Sequence, residues 1–302
     1  MRLVSIAVDG AERPGAVVTG SDGTDRVLDL AAVVGGRPLA EVLADGEVLA
    51  AVRDAADRAD RADPADLPAL GSVRLAPPVR PGTILCLGYN YRGHLEGEPE
   101  EVPVHPNVFV KTPNVVVAPG DPVVLPPATS QVDYEGEIAV VIGRRAHRVS
   151  EADAMAHVAG FTLFNDVSDR DWQSRTSQWA LGKCIDGFGP LGPWVVTTDE
   201  APELAGRTME VERDGVVTVR ASTDAMVFGV PFLVHHLSQV VTLEPGDLIS
   251  TGTPARAPEA QAVHRPIAPG DTVTVRVTGL GELTTTFVSP YDPSSVPLEE
   301  NR

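Results

Sequence analysis

The sequence predicts a β-rich α+β fold, and three observations carry that expectation. Short strand-like apolar runs dominate from about residue 75 onward: "TILCLG", "NVFVK", "NVVVA", "PVVL" and "IAVVIG". The pattern Ala/Glu-Pro-Gly-Asp occurs at 118, 244 and 268, each time leading into an apolar run. Pro followed by Gly suits the two central positions of a type II turn, so the pattern marks hairpin-like strand starts. Helical patterns, by contrast, are few.

Taken in order, residues 1 to about 35 alternate short β-like runs with turns: "LVSIAV", "GAVVTG", "RVLDLAAVV". "PLAEVLADGEVLAAVRDAADRADRAD" follows, rich in Ala, Asp and Arg, and its second half from about Glu47 reads as a helix. "DPADLPALGSVRLAPPVRPG" is dense in Pro and Gly and reads as a connector. A boundary near residue 75 therefore separates a small N-terminal β/α domain, 1–75, from a larger domain, 76–302. Within the latter, "SEADAMAHV" offers Ser150 as a helix N-cap with Asp153 in the reciprocal position. "VSDRDWQSRTSQW" reads as a polar helix or turn, and "PFLVHHLSQVV" as an amphipathic helix opening on Pro231.

The 302 residues are 43% apolar, an ordinary globular value. A formal net charge of -18 repels nucleic acid and anionic membranes and removes both as expected partners. The start, "MRLVSIAVDG", lacks the features of a secretory signal. No segment approaches the roughly 18 apolar residues of a membrane span. Cys86 and Cys184 are the only cysteines, too few for a disulfide framework, and a reducing cytoplasm is the expected location.

The chemistry gathers around "QVDYEGEIAVVIG", residues 131–143. Side chains at i and i+2 share one face of a strand, so Glu135 and Glu137 stand side by side at the mouth of an apolar run. Asp166 follows another such run, "GFTLF", and sits at a strand end as well. Three converging carboxylates suit a hard cation, Mg²⁺ or Mn²⁺, better than Zn²⁺, and leave about three octahedral positions for substrate and water. From spacing alone, two solvated surface acids at a strand end remain an alternative.

Seven stretches in order resemble the fumarylacetoacetate hydrolase family in its smaller bacterial form: "LGYNYRGH" (87–94), "PNVFVK" (106–111), "QVDYEGEIAVVIG" (131–143), "FNDVSDRDWQ" (164–173), "LGKCIDGFGPLGPWVV" (181–196), "SQVVTLEPGDLISTGTP" (238–254) and "PGDTVTVRVTGLGEL" (269–283). The resemblance runs from about Ile84 to about Phe287. It implies a distorted mixed β-roll with a small N-terminal β domain, a homodimer, one Mg²⁺ or Mn²⁺, and action on small anionic 2-oxo or 1,3-dicarbonyl acids. On it, Glu135, Glu137 and Asp166 match the metal ligands, and Lys183 the active-site lysine. Three carboxylates, a dication and one ammonium would make a neutral pocket, with Lys183 placed to stabilise an enolate. Gln173 and Thr253 match substrate contacts, and Tyr89 and Arg92 are expected at the mouth.

His94 matches the family's general base. Hydrolytic relatives carry a Glu three residues later; here that position is Gly97, flanked by Glu96 and Glu98. Either flanking Glu takes the role through a changed loop path, or the His–Glu dyad is missing. The leading expectation is metal-dependent C–C bond hydrolysis of an acylpyruvate-type acid. The alternatives are an isomerase or decarboxylase of hydroxy-dienoate or oxaloacetate-like acids, a dehydratase, and a non-catalytic metal-binding scaffold.

Overall fold

The computed structural model describes residues 1–62, 64–93, 102–262 and 264–290. At its centre lies the strand Gly136–Ile142, with all seven residues buried. It pairs antiparallel with Val158–Asn165 on one side and with Leu248–Ser250 on the other. Its period of two feeds two separate cores. Ala139 and Val141 join a cluster with Leu3, Val52 and Cys86. Ile138, Val140 and Ile142 join one with Leu233, Val234 and Leu237 of the helix Val230–Ser238. An apolar run covered on both faces is what an uninterrupted "IAVVI" requires.

The sheet extends by a parallel pairing of Leu248–Ser250 with Ile84–Gly88, then antiparallel to its edge strand Asn107–Lys111. On the other side, Val158–Asn165 pairs with Gly189–Thr197, which pairs with Arg2–Val8. Ala11–Thr19 and Asp25–Asp29 complete that flank. The sheet thus runs across the sequence boundary near residue 75. The helix Gly46–Arg61, capped by the Asp45 carboxylate on the N–H groups of Glu47 and Val48, packs Val52, Ala55 and Ala56 onto the same core.

A second sheet has the order Val216–Ser222, Thr208–Arg213, Thr272–Val277, Gly281–Val288, Val123–Val124. It packs closest at Gly136, where a Cβ would lie 2.5 Å from Val211 Cγ2 and 2.9 Å from Val275 Cγ2. Only Gly fits between the two glutamates. With parallel and antiparallel pairs and few helices, the chain is the mixed, sheet-rich fold that the sequence predicts.

The three Pro-Gly-Asp turns form with φ of 86°, 90° and 94° at Gly120, Gly246 and Gly270, the left-handed backbone of a type II turn. Two of them are closed by their own Asp. Asp247 accepts from the Glu244 N–H and Asp271 from the Ala268 N–H, each at 2.8 Å. The expected helix after Ser150 is reduced to a 3-10 turn, Ala154–His157. The cap still forms, with the Asp153 N–H donating to Ser150 Oγ at 3.2 Å. Val158, however, is drawn into the sheet opposite Ile142, and strand pairing ends the helix. Lys183 ends a four-residue helix, Ala180–Lys183.

Candidate metal centre

Strand pairing brings the three acids together. Gly136 pairs with Asn165, so Glu135 and Glu137 flank the point where Asp166 leaves the neighbouring strand. The Asp166 N–H donates to Glu135 O at 2.8 Å, and Asn165 Oδ1 accepts from the Glu135 N–H at 3.2 Å. One carboxylate oxygen from each of Glu135, Glu137 and Asp166 lies within 4.8 Å of the others. Glu137 and Asp166 are buried and Glu135 nearly so.

Burial, followed by the charges of Asp166 and Glu135, pushes the Glu137 carboxyl up to about 8. The Ser250 hydroxyl and the Gly252 N–H, at 3.0 Å, both donate to Glu137 Oε2. Burial also acts to raise Glu135, yet the Arg170 guanidinium and the Lys183 ammonium hold it well below the usual carboxylate range. Lys183 Nζ donates to Glu135 Oε2 and to Asp166 Oδ2, both at 2.5 Å. Burial acts to lower Lys183, and the charges of Asp166 and Glu135 raise it overall. An all-oxygen donor set with this crowding of negative charge fits a hard divalent cation.

Two functional cations escape the sequence reading. Lys111, fully buried, donates to Asp166 Oδ1 and to Val167 O. It comes from the edge strand, although three strands lie between that edge and Val158–Asn165 in sheet order; the sheet must curl to bring them together. Arg170 donates to Asp133 Oδ2 at 2.7 Å, to Glu135 Oε1 at 2.6 Å and to Gln173 Oε1 at 2.9 Å. One guanidinium therefore links a metal-ligand candidate to a substrate-contact candidate. Lys111 shares a strand face with Phe109, which lines the site, but only the structure shows that this face is the covered one.

A pocket of about 150 Å³ opens over the carboxylates, lined by Tyr89, Phe109, Gln173, Trp179, Lys183 and Thr253 among others. Tyr89, Gln173, Lys183 and Thr253 thus share one pocket with the three carboxylates. Arg92 is exposed and lines no wall of this pocket. His94, Glu96 and Glu98 lie outside the described residues. A second cavity of about 870 Å³ adjoins; Glu135, Arg170 and Thr253 wall both. The expected neutral pocket needs correction. Glu135, Glu137, Asp166 and Asp133 face Lys111, Lys183, Arg170 and Arg256. Cations beyond Lys183 therefore enter the charge balance of the site.

The family model for the fumarylacetoacetate (FAA) hydrolase C-terminal region matches residues 83–288. The chain is 42% identical over 212 residues to a human mitochondrial oxaloacetate tautomerase, covering 68% of this chain and 67% of that protein. It is 38% identical over 225 residues to the Mycobacterium tuberculosis protein Rv2993c, covering 74% and 82%. Among solved structures, the 2-hydroxyhepta-2,4-diene-1,7-dioate isomerase from Mycobacterium marinum superposes with a TM-score of 0.73 at 32% identity, covering 97% of this chain and 100% of the other. A fumarylacetoacetate hydrolase from Exiguobacterium antarcticum superposes with a TM-score of 0.79 at 29% identity, covering 96% and 99%. Among the described residues, no helix is long and apolar enough to cross a membrane.

Proposed function

The chain belongs to the fumarylacetoacetate hydrolase family, and from that premise we propose that it is a Mg²⁺- or Mn²⁺-dependent enzyme that interconverts the keto and enol forms of a small 2-oxo acid. The observation that carries this is the position of Lys183, buried between Glu135 and Asp166 while lining the substrate-sized pocket. Glu135, Glu137 and Asp166 would hold the ion. When bound, the ion would supply the charge that polarises the 2-oxo carbonyl. Lys183 holds its positive charge beside the same oxygen and stabilises it as negative charge develops. Arg170 fixes Glu135 and Gln173 together, and Gln173 and Thr253 orient the acid. Similarity to an oxaloacetate tautomerase and to a dienoate isomerase supports proton movement as the net reaction.

C–C bond hydrolysis of an acylpyruvate is the second reading. The match to a fumarylacetoacetate hydrolase and His94 as a base support it, whereas Gly97 in place of the partner Glu weighs against it unless Glu96 or Glu98 takes that role. A homodimer and a reducing compartment, expected from the resemblance and from the two cysteines, stay part of this proposal. Ultraviolet assays with oxaloacetate and acetylpyruvate, with and without Mg²⁺, separate the two. Tautomerisation predicts ion-dependent loss of oxaloacetate enol absorbance without pyruvate release, and hydrolysis predicts equal amounts of acetate and pyruvate from acetylpyruvate; pyruvate with CO₂ from oxaloacetate would mark decarboxylation instead. Turnover of oxaloacetate enol that survives Asp166→Ala and chelator at full rate would refute the metal-dependent assignment.

A further inference from the structure

The stretch "QVDYEGE" holds a third acid, Asp133, which is not among the carboxylates that converge on the ion site. It is 4% exposed and lines no wall of the pocket over them. A buried carboxylate needs partners, and Asp133 has them on both oxygens. Oδ2 accepts from Arg170 Nε at 3.0 Å and from Arg170 Nη2 at 2.7 Å. Oδ1 accepts from the Tyr134 N–H at 2.9 Å and from Arg256 Nη2, with His264 Nε2 at 3.4 Å. Arg256 is itself braced: the same Nη2 donates to Tyr134 O at 3.1 Å, and its guanidinium lies 4.7 Å from the centroid of the Tyr134 ring.

Arg170 carries the consequence to the site. A guanidinium is a planar, rigid fork, so holding one edge orients the others. With Nε and Nη2 on Asp133, Nη2 also reaches Glu135 Oε1 at 2.6 Å and Nη1 reaches Gln173 Oε1 at 2.9 Å. Arg170, Glu135 and Gln173 all line the pocket, and Asp133 meets it through Arg170. The backbone sets this pairing. Ser168 lies opposite Asp133 in a two-residue ladder, and the Arg170 N–H donates to Gln131 O at 2.9 Å. The Asp169 carboxylate accepts from the N–H groups of Ser130, at 2.8 Å, and Trp172, at 2.9 Å. That ties the start of the helix Arg170–Ser174 to the chain just before Asp133.

We infer that Asp133 is a positioning residue: through Arg170 it fixes the Glu135 carboxylate and the Gln173 amide in the arrangement that receives ion and 2-oxo acid together. This rests on the 2-oxo acid function proposed above. Asn in its place keeps one acceptor and turns two amide donors toward a guanidinium, so it supports only one side of the clamp. Ala supports neither.

The test is a double-mutant cycle on the full chain with Mg²⁺, read well below the unfolding temperature of every variant. Asp133→Ala should lower kcat on oxaloacetate enol by at least about tenfold, the scale of a misplaced orienting group, with KM changed less. Calorimetry should show Mg²⁺-dependent oxalate binding weakened in the same variant. Asp133→Asn should recover part of both losses. Arg170→Gln should lose as much as Asp133→Ala, and Asp133→Ala added to it should lose little more, because the residue it acts through is already gone. Losses that multiply in full would overturn the inference, since they mark an acid that acts on the fold rather than through Arg170. A folded Asp133→Ala variant with wild-type kcat and oxalate affinity would overturn it too. Where Asp133→Ala does not fold, Asp133→Asn takes its place in the cycle with the same two outcomes. If the wild-type protein binds no oxalate in the presence of Mg²⁺, the 2-oxo acid function itself fails, and the positioning role with it. Mg²⁺-dependent oxalate binding and turnover that Asp133→Ala leaves unchanged keep that function and remove the positioning role alone.

Discussion

Lys183 is the residue on which the chemistry turns. Its ammonium touches two metal-ligand candidates and lies 4.7 Å from the Phe109 ring centroid, so its position is tightly defined. An interaction made mainly with developing charge shows in kcat more than in KM. Lys183→Met should therefore lower kcat by about 100-fold, the size of losing one electrostatic stabiliser, with KM changed far less. Steady-state kinetics on the best substrate checks this, and near wild-type turnover would remove Lys183 from the mechanism. At this scale the sequence was partly legible. Glu135, Glu137 and Asp166 stood out less by spacing, since acids are common at strand ends, than by the family resemblance of the stretches that hold them. Lys111 did not, because a lone Lys at the end of "NVFVK" looks like a solvated strand end. In the structure the pattern is inverted: Val108 and Val110 face outward while Lys111 is buried. Strand alternation gives two faces but not which one the rest of the chain will cover.

Among the elements, the central strand carries the tightest constraint. Gly136 separates the two glutamates and presses against Val211 and Val275 of the second sheet. Gly136→Ala should cost about 1–3 kcal/mol through overpacking and spread Glu135 from Glu137. Denaturant unfolding should show the loss, and calorimetry a weakened divalent-ion affinity. Wild-type values for both would mean that the sheets separate easily here. The turns make a second, pH-dependent case. Burial acts to raise the Asp271 carboxyl, but Arg265, the Ala268 N–H and Arg213 outweigh it and hold it well below the usual carboxylate range. A depressed acid stabilises the fold above its unfolded value near 4 and loses that contribution as pH falls below it. Asp271→Asn should therefore destabilise the protein more at pH 7 than at pH 3, with part of the deficit persisting at pH 3 because the native carboxylate is still ionised there. Denaturant midpoints at the two pH values measure this; an equal deficit at both would show that the charge is unimportant. The turns themselves were legible from Pro-Gly-Asp, because backbone preference is local. The curtailed helix after Ser150 was not, because a distant strand decided it.

Across the whole molecule, the first 60 residues share one core with the strands that carry the site. Leu3, Val42 and Val52 cluster with Ile84, Cys86, Ala139 and Leu248. The connector after the helix Gly46–Arg61 marked a seam in composition, but no composition records that Arg2–Val8 will extend the same sheet. Placing a charge in this shared core strands it without a partner. Val52→Asp should thus unfold both regions together, in one transition at a much lower temperature. Calorimetry showing two separate transitions, one of them unchanged, would establish independent units instead.

Glu137 is held by Ser250 and Gly252, which lie 113 and 115 residues further along the chain. Folding must therefore close that long loop before the carboxylate has its partners, and such distant pairings form late and slowly. A chain emerging from the ribosome cannot assemble the ion site until residue 252 has appeared. Divalent-ion capture would then act as a latch on the finished fold, holding the native state without guiding the route to it.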